Sequence, residues 1–293
     1  MYGSVTRIVP FPINGNTIGL LEHNNLFDNL KSVIFVGNLV SYDEVAEEQR
    51  KVEKSCYDLT KSTIRKECLV HNPTVSIKAS ENFSNAISLA KSRRDKFFVI
   101  PGENDLQYLF SKNAKFETAH KLREPFKRSR IEHLIPEEST YTYVRQDVFK
   151  LMRAAVFSNG YLVTFGGITK KWIEEALPEL SAVGFGVVSS MTLEKALNII
   201  FHQRNPDSSL YLNEKNVKSP FFVQDISLKP EDYYSGISQI FYSPEADEHK
   251  KLKVESVTVN NAVHYIAKMP RVLYSEENCA DGQFTGFDLK PTI

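Results

Sequence analysis

Cysteine is scarce in this sequence. Cys56, Cys68 and Cys279 are the only three in 293 residues, and none of them belongs to a Cys-x-x-Cys pair or has a histidine at zinc-ligand spacing. An odd and sparse set of this kind is typical of ordinary thiols in a reducing compartment. It argues against a disulfide framework or a structural zinc site.

The sequence also lacks an excess of charge of one sign and long hydrophobic runs. The 36 Lys and Arg residues equal the 36 Asp and Glu residues, so no overall field attracts the chain to nucleic acid or to a membrane. No apolar run approaches the about 20 residues of a transmembrane helix. The opening residues, MYGSVTRIVPFP, lack the pattern of a secretory signal. We therefore expect a nuclear or cytosolic protein without membrane contact.

Strand and helix patterns alternate in the N-terminal half. Apolar runs at 5–11, 32–38 and 96–102 predict strands. The stretch 42–67 has no Gly or Pro and places its apolar residues on one helix face, which predicts a helix after the second strand. Strand, helix and strand in this order favour a parallel sheet.

The second half has a different composition. The segment 145–158 predicts a further helix, whereas β-branched and aromatic residues dominate from residue 217 onward. We expect one α/β domain over residues 1–293, with mixed strands and a β-rich C-terminal half.

Polar residues directly follow two of the predicted strands. Gly37-Asn38 follows the second strand, and Gly102 is followed by Glu103, Asn104 and Asp105. The carboxyl ends of parallel strands meet at one edge of a sheet, where ligands bind in α/β proteins. These turns therefore predict either a ligand site or simple turn-forming residues, since Asn and Asp favour turns.

Four segments, taken in order, resemble a known family. They are VIFVGNLVS at 33–41, FFVIPGENDLQYL at 97–109, YVRQDVFKLMRAAV at 143–156 and MTLEKALNIIFHQRNPDSSLYLNEK at 191–215. In this order the sequence resembles the small, or B, subunits of eukaryotic replicative DNA polymerases, most closely the epsilon type. That family contains a calcineurin-like phosphoesterase domain whose metal site is inactivated.

The resemblance implies a fold, a set of partners and a lost metal site. The fold would be a calcineurin-like phosphoesterase-type layered sheet, and Asn38, Glu103, Asn104 and Asp105 would occupy degenerate metal-site positions. Neutral amides bind hard cations more weakly than carboxylates do. The chain would then not be an enzyme and would need no metal or cofactor. It would bind the C-terminal region of a polymerase catalytic subunit and other replication factors in the nucleus.

The sequence departs from the family's pattern at three places. Leu106, not proline, follows Asp105, and Glu214 replaces an aspartate at the end of the fourth segment. No segment that resembles the family's OB-fold is visible. These departures leave the type of subunit open.

Two groups of side chains are candidates for partner contacts. The aromatic pairs Tyr108 with Phe110 and Tyr233 with Tyr234 predict an exposed interface, with burial in the core as the alternative. A basic cluster predicts weak or indirect DNA contact, with a solvated loop as the alternative. It consists of Lys121, Arg123, Lys127, Arg128 and Arg130.

Two other functions remain open from the sequence. One is an active or divergent metallophosphoesterase that uses Asp105, Asn38, His264 and also His23 as ligands. The other is an unrelated α/β enzyme that binds a nucleotide or sugar phosphate at Gly166-Gly167, where a tight strand-to-helix turn is the alternative.

Overall fold

The computed structural model describes the chain in several ranges. They are residues 6–10, 30–37, 57–58, 63–64, 96–102, 106, 149–184, 190–205, 207–214, 216–222, 227–244, 253–269 and 287–289. All structural statements below refer to these residues.

The first sheet has four strands in the order β11-β1-β2-β5. Strands β1 (Thr6–Pro10), β2 (Ser32–Gly37) and β5 (Phe97–Pro101) are parallel, and β11 (Phe287–Leu289) pairs antiparallel with β1. All six residues of β2 are buried, as expected of a central parallel strand covered on both faces. The predicted parallel sheet is confirmed.

The second sheet has five strands in the order β6-β7-β8-β10-β9. They are β6 (Val156–Ser158), β7 (Tyr161–Val163), β8 (Gln239–Pro244), β9 (Lys253–Val259) and β10 (Ala262–Met269). Strand β8 is parallel to both β7 and β10, whereas β6 and β9 are antiparallel to their neighbours. The sheets are therefore parallel and mixed, which confirms an α/β fold with mixed strands.

Two tight hairpins in the second sheet follow from local sequence. Asn159-Gly160 joins β6 to β7 with φ values of 50° and 90°, and Asn260-Asn261 joins β9 to β10 with φ values of 47° and 68°. Two consecutive positive φ angles are those of a type I′ turn, for which Asn and Gly are the preferred residues.

The two sheets stack face to face. One hydrophobic cluster joins alternate residues of the first sheet to the facing residues of the second. Its buried members are Ile8, Ile34, Val36, Ile100, Val156, Tyr161, Val163, Phe165, Ile240, Tyr242, Ala267 and Leu289. The period-2 alternation of strands places these residues on the inner faces.

Buried hydroxyl groups fix how the sheets are oriented. Thr6 Oγ1, at the start of β1, lies 2.9 Å from Ser32 Oγ at the start of β2 and 2.7 Å from Ser158 Oγ at the end of β6. The β6–β7 hairpin thus lies at the amino ends of β1 and β2. The carboxyl ends of β1, β2, β5, β7 and β8 consequently lie together at the other end of the stack, which we name the carboxyl edge.

Two helices cover the outer side of the sheets. Helix α1 (Lys170–Ala182) begins after Thr169, whose side chain accepts a hydrogen bond from Trp172 N, and α2 is Ser190–Gln203. Their buried faces belong to a larger cluster that also contains Val33, Phe35, Phe97 and Val99. None of the helices in the described ranges is long and apolar enough to cross a membrane.

Two helix predictions are wrong. Within 42–67, β3 (Tyr57–Asp58) and β4 (Thr63–Ile64) form a short antiparallel pair, and the rest of that stretch lies outside the described residues. Tyr, Thr and Ile are aromatic or β-branched, and they lose side-chain freedom in a helix. Within 145–158, residues 156–158 form β6 instead of a helix, because Val156 packs between the two sheets.

Candidate ligand site at the carboxyl edge

The ends of β2 and β5 lie side by side. Gly37 pairs with Pro101, and Gly102 N donates to Gly37 O at 3.0 Å. Gly37 has a φ of 124°, a conformation that side-chain-bearing residues rarely adopt. The two turns predicted from sequence therefore start next to each other at the carboxyl edge. Their polar residues, Asn38, Glu103, Asn104 and Asp105, lie outside the described residues.

The second sheet contributes two aromatic residues to the same edge. Phe165 follows β7, and its carbonyl accepts a hydrogen bond from Tyr242 N of β8 at 2.9 Å. Both side chains are buried, at 2% and 1% exposure. The Tyr242 hydroxyl has no hydrogen-bond partner among the described residues. Burial raises the pKa of Tyr242, so its hydroxyl stays protonated at neutral pH.

The described residues contain no metal cluster. No group of three or more His, Cys, Asp or Glu residues within the described ranges could hold an ion. His264, a ligand in the metallophosphoesterase hypothesis, pairs with Gln239, the first residue of β8, and lies near the amino ends of the strands. It is therefore removed from the carboxyl edge, and that assignment is wrong. His23 lies outside the described residues.

Neighbouring atoms pack closely against Gly166 and Gly167 and leave no space for a ligand at this turn. A Cβ at Gly166 would overlap the carbonyl oxygen of Phe222, and a Cβ at Gly167 would lie 2.5 Å from the Tyr233 ring. The amides around the turn are also engaged. Gly166 N donates to Pro220 O at 2.6 Å, and Ile168 N donates to Gln239 Oε1 at 2.8 Å.

The start of α1 after this turn is capped in the same way, because Trp172 N donates to Thr169 Oγ1 at 3.2 Å. Donors that are already paired do not attract a phosphate. This geometry favours the tight strand-to-helix turn over an anion site.

The predicted interface at Tyr233 and Tyr234 is wrong for Tyr233. Its side chain is 4% exposed, and its ring lies 4.6 Å from that of Phe241. Tyr234 is half-buried, and its amide donates to Ile168 O at 2.9 Å. Both residues hold a loop against the sheet, which explains their burial.

The remaining candidates for partner contacts cannot be compared with the structure. Tyr108, Phe110 and the basic residues Lys121, Arg123, Lys127, Arg128 and Arg130 all lie outside the described residues. These assignments stay predictions.

The four segments that carry the family resemblance pack against one another, since β2 of the first segment pairs with β5 of the second. Arg153 N, in the third segment, donates to Val99 O of β5 at 2.8 Å, and β5 belongs to the second segment. Asn198 Oδ1, in the fourth, accepts from Ala154 N at 2.7 Å, and the rings of Phe149 and Phe201 are 4.5 Å apart. These segments therefore form one continuous block.

Sequence reasoning missed one residue near this block. Gln239 is fully buried, and its side-chain amide makes two hydrogen bonds to the backbone of Ile168. A glutamine at the start of a strand pattern normally faces solvent. The only signal for its burial is the apolar run that follows, at 240–242.

Comparisons with known proteins give one correction. No family model matches the chain, and no curated protein matches it. Solved structures similar to it include the crystal structure of a cold-active protein-tyrosine phosphatase of a psychrophile, Shewanella sp.. That match has 11% identity and a TM-score of 0.37, and it covers 90% of this chain and 71% of the other. The prediction that this chain is not an enzyme is not retained, and a similarity this weak assigns neither a reaction nor its residues.

Proposed function

We propose that this chain is a divergent phosphoesterase-type domain that binds a phosphate-bearing ligand at the carboxyl edge. The observation that carries the proposal is the adjacency of Gly37 and Gly102, whose backbones are joined by a 3.0 Å hydrogen bond. Two parallel strands thus end together in glycine turns, each followed by short polar side chains in the sequence. Ligands of α/β proteins bind at such an edge.

The residue types suit a phosphate ester better than a pair of metal ions. Asn38 and Asn104 carry side-chain amide N–H donors, which suit the oxygens of a phosphate ester. A two-metal centre needs several carboxylate and imidazole ligands to hold two ions about 3.5–4 Å apart. Glu103 and Asp105 are the only acidic residues in the two turns, so the residues present do not fit a two-metal centre.

Binding and turnover of phosphate esters test this proposal. The purified chain would be titrated with p-nitrophenyl phosphate and bis(p-nitrophenyl) phosphate by calorimetry, with and without Mn²⁺, and product release would be followed by absorbance. We expect saturable binding that is lost in Asn38→Ala and Asp105→Ala. Thr258→Ala is the matched control, because Thr258 is exposed on β9, pairs with Val263 and lies away from the carboxyl edge. Equal binding by all variants would exclude this edge as the site.

The second candidate function is that of an accessory subunit of a replicative DNA polymerase, acting in the nucleus. The observation that favours it is the packing of the resemblance segments into one block, through Arg153, Asn198 and Phe201. Its partner would be the C-terminal region of a polymerase catalytic subunit, bound together with other replication factors. The same proposal includes the calcineurin-like form of the layered sheet, the single-domain boundaries and the DNA contact.

Affinity purification of the tagged full chain, followed by mass spectrometry, tests this second candidate. We expect to recover a polymerase catalytic subunit at stoichiometric yield. We expect this subunit to be lost in the double variant Tyr108→Ala, Phe110→Ala. Recovery without any polymerase subunit would leave the phosphate-ester function as the remaining proposal.

A further inference from the structure

His264 is buried without any hydrogen bond on its ring. It lies in β10 on the outer face of the second sheet, opposite Gln239 of β8 and Val257 of β9. Its exposure is 0%, and neither ring nitrogen has a partner in the part of the chain that the structure describes. Buried polar groups are nearly always hydrogen-bonded, so a histidine with two unpaired nitrogens is unusual.

A loop covers this histidine. We name residues 229–237 the strap; it contains the 3₁₀ helix Pro230–Asp232. The Tyr233 ring lies 6.0 Å from the His264 ring and 4.6 Å from Phe241. Tyr233, Phe241 and Ile266 form a hydrophobic cluster that is separate from the two larger ones. The strap therefore closes a small apolar compartment over His264.

Among the described residues, the strap is attached to the rest of the molecule by two backbone contacts and by Ile237, which is buried in the cluster that contains the inner faces of α1 and α2. Tyr234 N donates to Ile168 O at 2.9 Å, and Tyr233 forms an isolated bridge with Thr169. The bonds within the strap stabilise only its first turn. They run from Lys229 N to Asp232 Oδ2 at 2.8 Å, from Asp232 N to Lys229 O at 2.9 Å and from Tyr233 N to Pro230 O at 3.2 Å. By contrast, β10 is paired along its whole length, with β8 on one side and β9 on the other. If the compartment opens, the strap is the part that moves.

The charges around His264 do not compensate a positive ring. The strap carries Lys229, Glu231 and Asp232, and the Asp232 carboxylate is engaged with the Lys229 amide. Strand β9 carries Glu255, which pairs with Ile266 and is exposed. The facing group on β8 is the neutral amide of Gln239, which is bonded to Ile168.

Burial is the cause of a lowered pKa at His264, and no charged neighbour contributes to the shift. Burial also raises the pKa of Tyr233, whose ring packs beside that of His264, to about 12. The phenol therefore stays neutral and offers no negative charge to balance a protonated imidazole. The imidazole is thus neutral while the strap is closed. A lowered pKa in the closed state means that protons bind the open state more tightly, so acid favours opening as pH falls below the ordinary value of about 6.5.

We propose that His264 makes the strap a pH-sensitive latch, in which protonation of the imidazole releases Tyr233 and exposes Phe241 and Ile266. Neutral His264 packs against Tyr233 and keeps the compartment closed. The imidazolium ion requires hydration or an anionic partner, and no carboxylate among the described residues contributes to the pKa of His264. Opening hydrates the ring and uncovers an apolar surface on the outer face of the second sheet.

Hydrogen exchange of the full chain at pH 7.5 and pH 5.0, corrected for intrinsic rates, tests the latch. We expect protection of the Tyr233–Ile237 amides to fall by up to about tenfold per pH unit below the ordinary histidine pKa. Amides of α1 and β10 should change much less. His264→Phe keeps a ring of similar size without a titrating group, and its strap should be equally protected at both pH values.

The matched control is His202→Gln, which removes a half-buried histidine at the end of α2 and should retain the wild-type response. Strap protection that is the same at both pH values in the wild type would overturn the proposal, as would acid opening that persists in His264→Phe. Should His264→Phe fail to fold, an NMR titration of the wild-type His264 ring against the Tyr234 amide replaces it. Ring protonation without a coincident change at Tyr234 would then be the contradicting result.

Discussion

The side chain of Gln239 makes two hydrogen bonds to a single residue, Ile168. Its Oε1 accepts from Ile168 N at 2.8 Å, and its Nε2 donates to Ile168 O at 3.1 Å. Ile168 O also accepts from Tyr234 N, so the amide of Gln239 connects the start of α1, β8 and the strap. One buried amide thus positions three parts of the chain that are distant in sequence.

Replacing Gln239 should therefore destabilise the protein strongly. In Gln239→Met the buried Ile168 N loses its partner, which costs about 1–3 kcal/mol, and Ile168 O keeps Tyr234 N but loses a second bond worth about 0.5–1.5 kcal/mol. We expect a loss of about 2–4 kcal/mol in the free energy of unfolding, measured by urea denaturation. Gln203→Met, at an exposed position at the end of α2, is the matched control and should change stability by less than about 0.5 kcal/mol. Similar losses in both variants would contradict the role given to Gln239.

Removing the Tyr242 hydroxyl should not reduce stability. This hydroxyl is buried without a described partner, so Tyr242→Phe removes an unsatisfied group and should raise the free energy of unfolding by up to about 1 kcal/mol. Tyr161→Phe, whose hydroxyl interacts with Tyr265, should lose stability instead. If Tyr242→Phe is destabilised and also binds phosphate esters more weakly, the hydroxyl contacts the ligand at the carboxyl edge.

The two glycines that follow β7 should not tolerate a side chain. A Cβ at Gly166 would overlap the Phe222 carbonyl, a backbone atom that cannot move without displacing its segment. We expect Gly166→Ala to cost more than about 3 kcal/mol, measured by thermal and urea denaturation. Gly184→Ala is the comparison, since Gly184 has a φ of 88° but open space around it. Backbone strain alone should cost about 1–2 kcal/mol there, and an equal loss at both positions would contradict the packing explanation.

Global stability should decline as the solution is acidified below pH 6.5. Burial lowers the pKa of both His264 and His202 in the folded protein, and Arg153 and Arg204 lower that of His202 further. A lowered folded-state pKa gives stability that is present above the unfolded value of about 6.5 and is lost as pH falls toward the folded value. His264→Phe should remove part of the decline between pH 7.5 and pH 5.5, at most about 1.4 kcal/mol for one group with an unfolded value of about 6.5. His202 is partly exposed, and its contribution should be smaller.

Chemical denaturation at several pH values measures this effect. The range stops at pH 5.5 because burial raises the pKa of Glu194, which acts in the opposite direction at lower pH. A decline of equal size in the wild type and in His264→Phe would contradict the assignment.

The elements that sequence predicts well are those with a strong local pattern. Strands β2 and β5 are continuous apolar runs because both faces are buried, and α1 begins at a Thr cap with Trp172 and Ile173 on its buried face. The segment 156–158 has the pattern of a helix end, yet it forms β6 because packing between the sheets outweighs helix propensity.

The sequence predicts where the candidate site lies but not which residues of the second sheet contribute to it. The glycine turns at Gly37 and Gly102 mark the carboxyl edge, since parallel strands must end together. The contributions of Phe165 and Tyr242 depend on the stacking of the second sheet, which no local pattern encodes. The face on which His264 lies depends on strand register, because a shift of one residue would turn its ring to the other side of the sheet. The partner of Gln239 is 71 residues away, and nothing near Gln239 specifies it.

The pairing of β1 with β11 has a consequence for synthesis on the ribosome. Thr6 pairs with Leu289, so the first sheet joins residues that lie far apart in the sequence. One side of β1 has no partner from this sheet until residues 287–289 have emerged. Contacts between such distant residues slow folding, so the four-stranded sheet is complete only once residues 287–289 have been synthesised, and shorter nascent chains should expose one edge of β1 to chaperones.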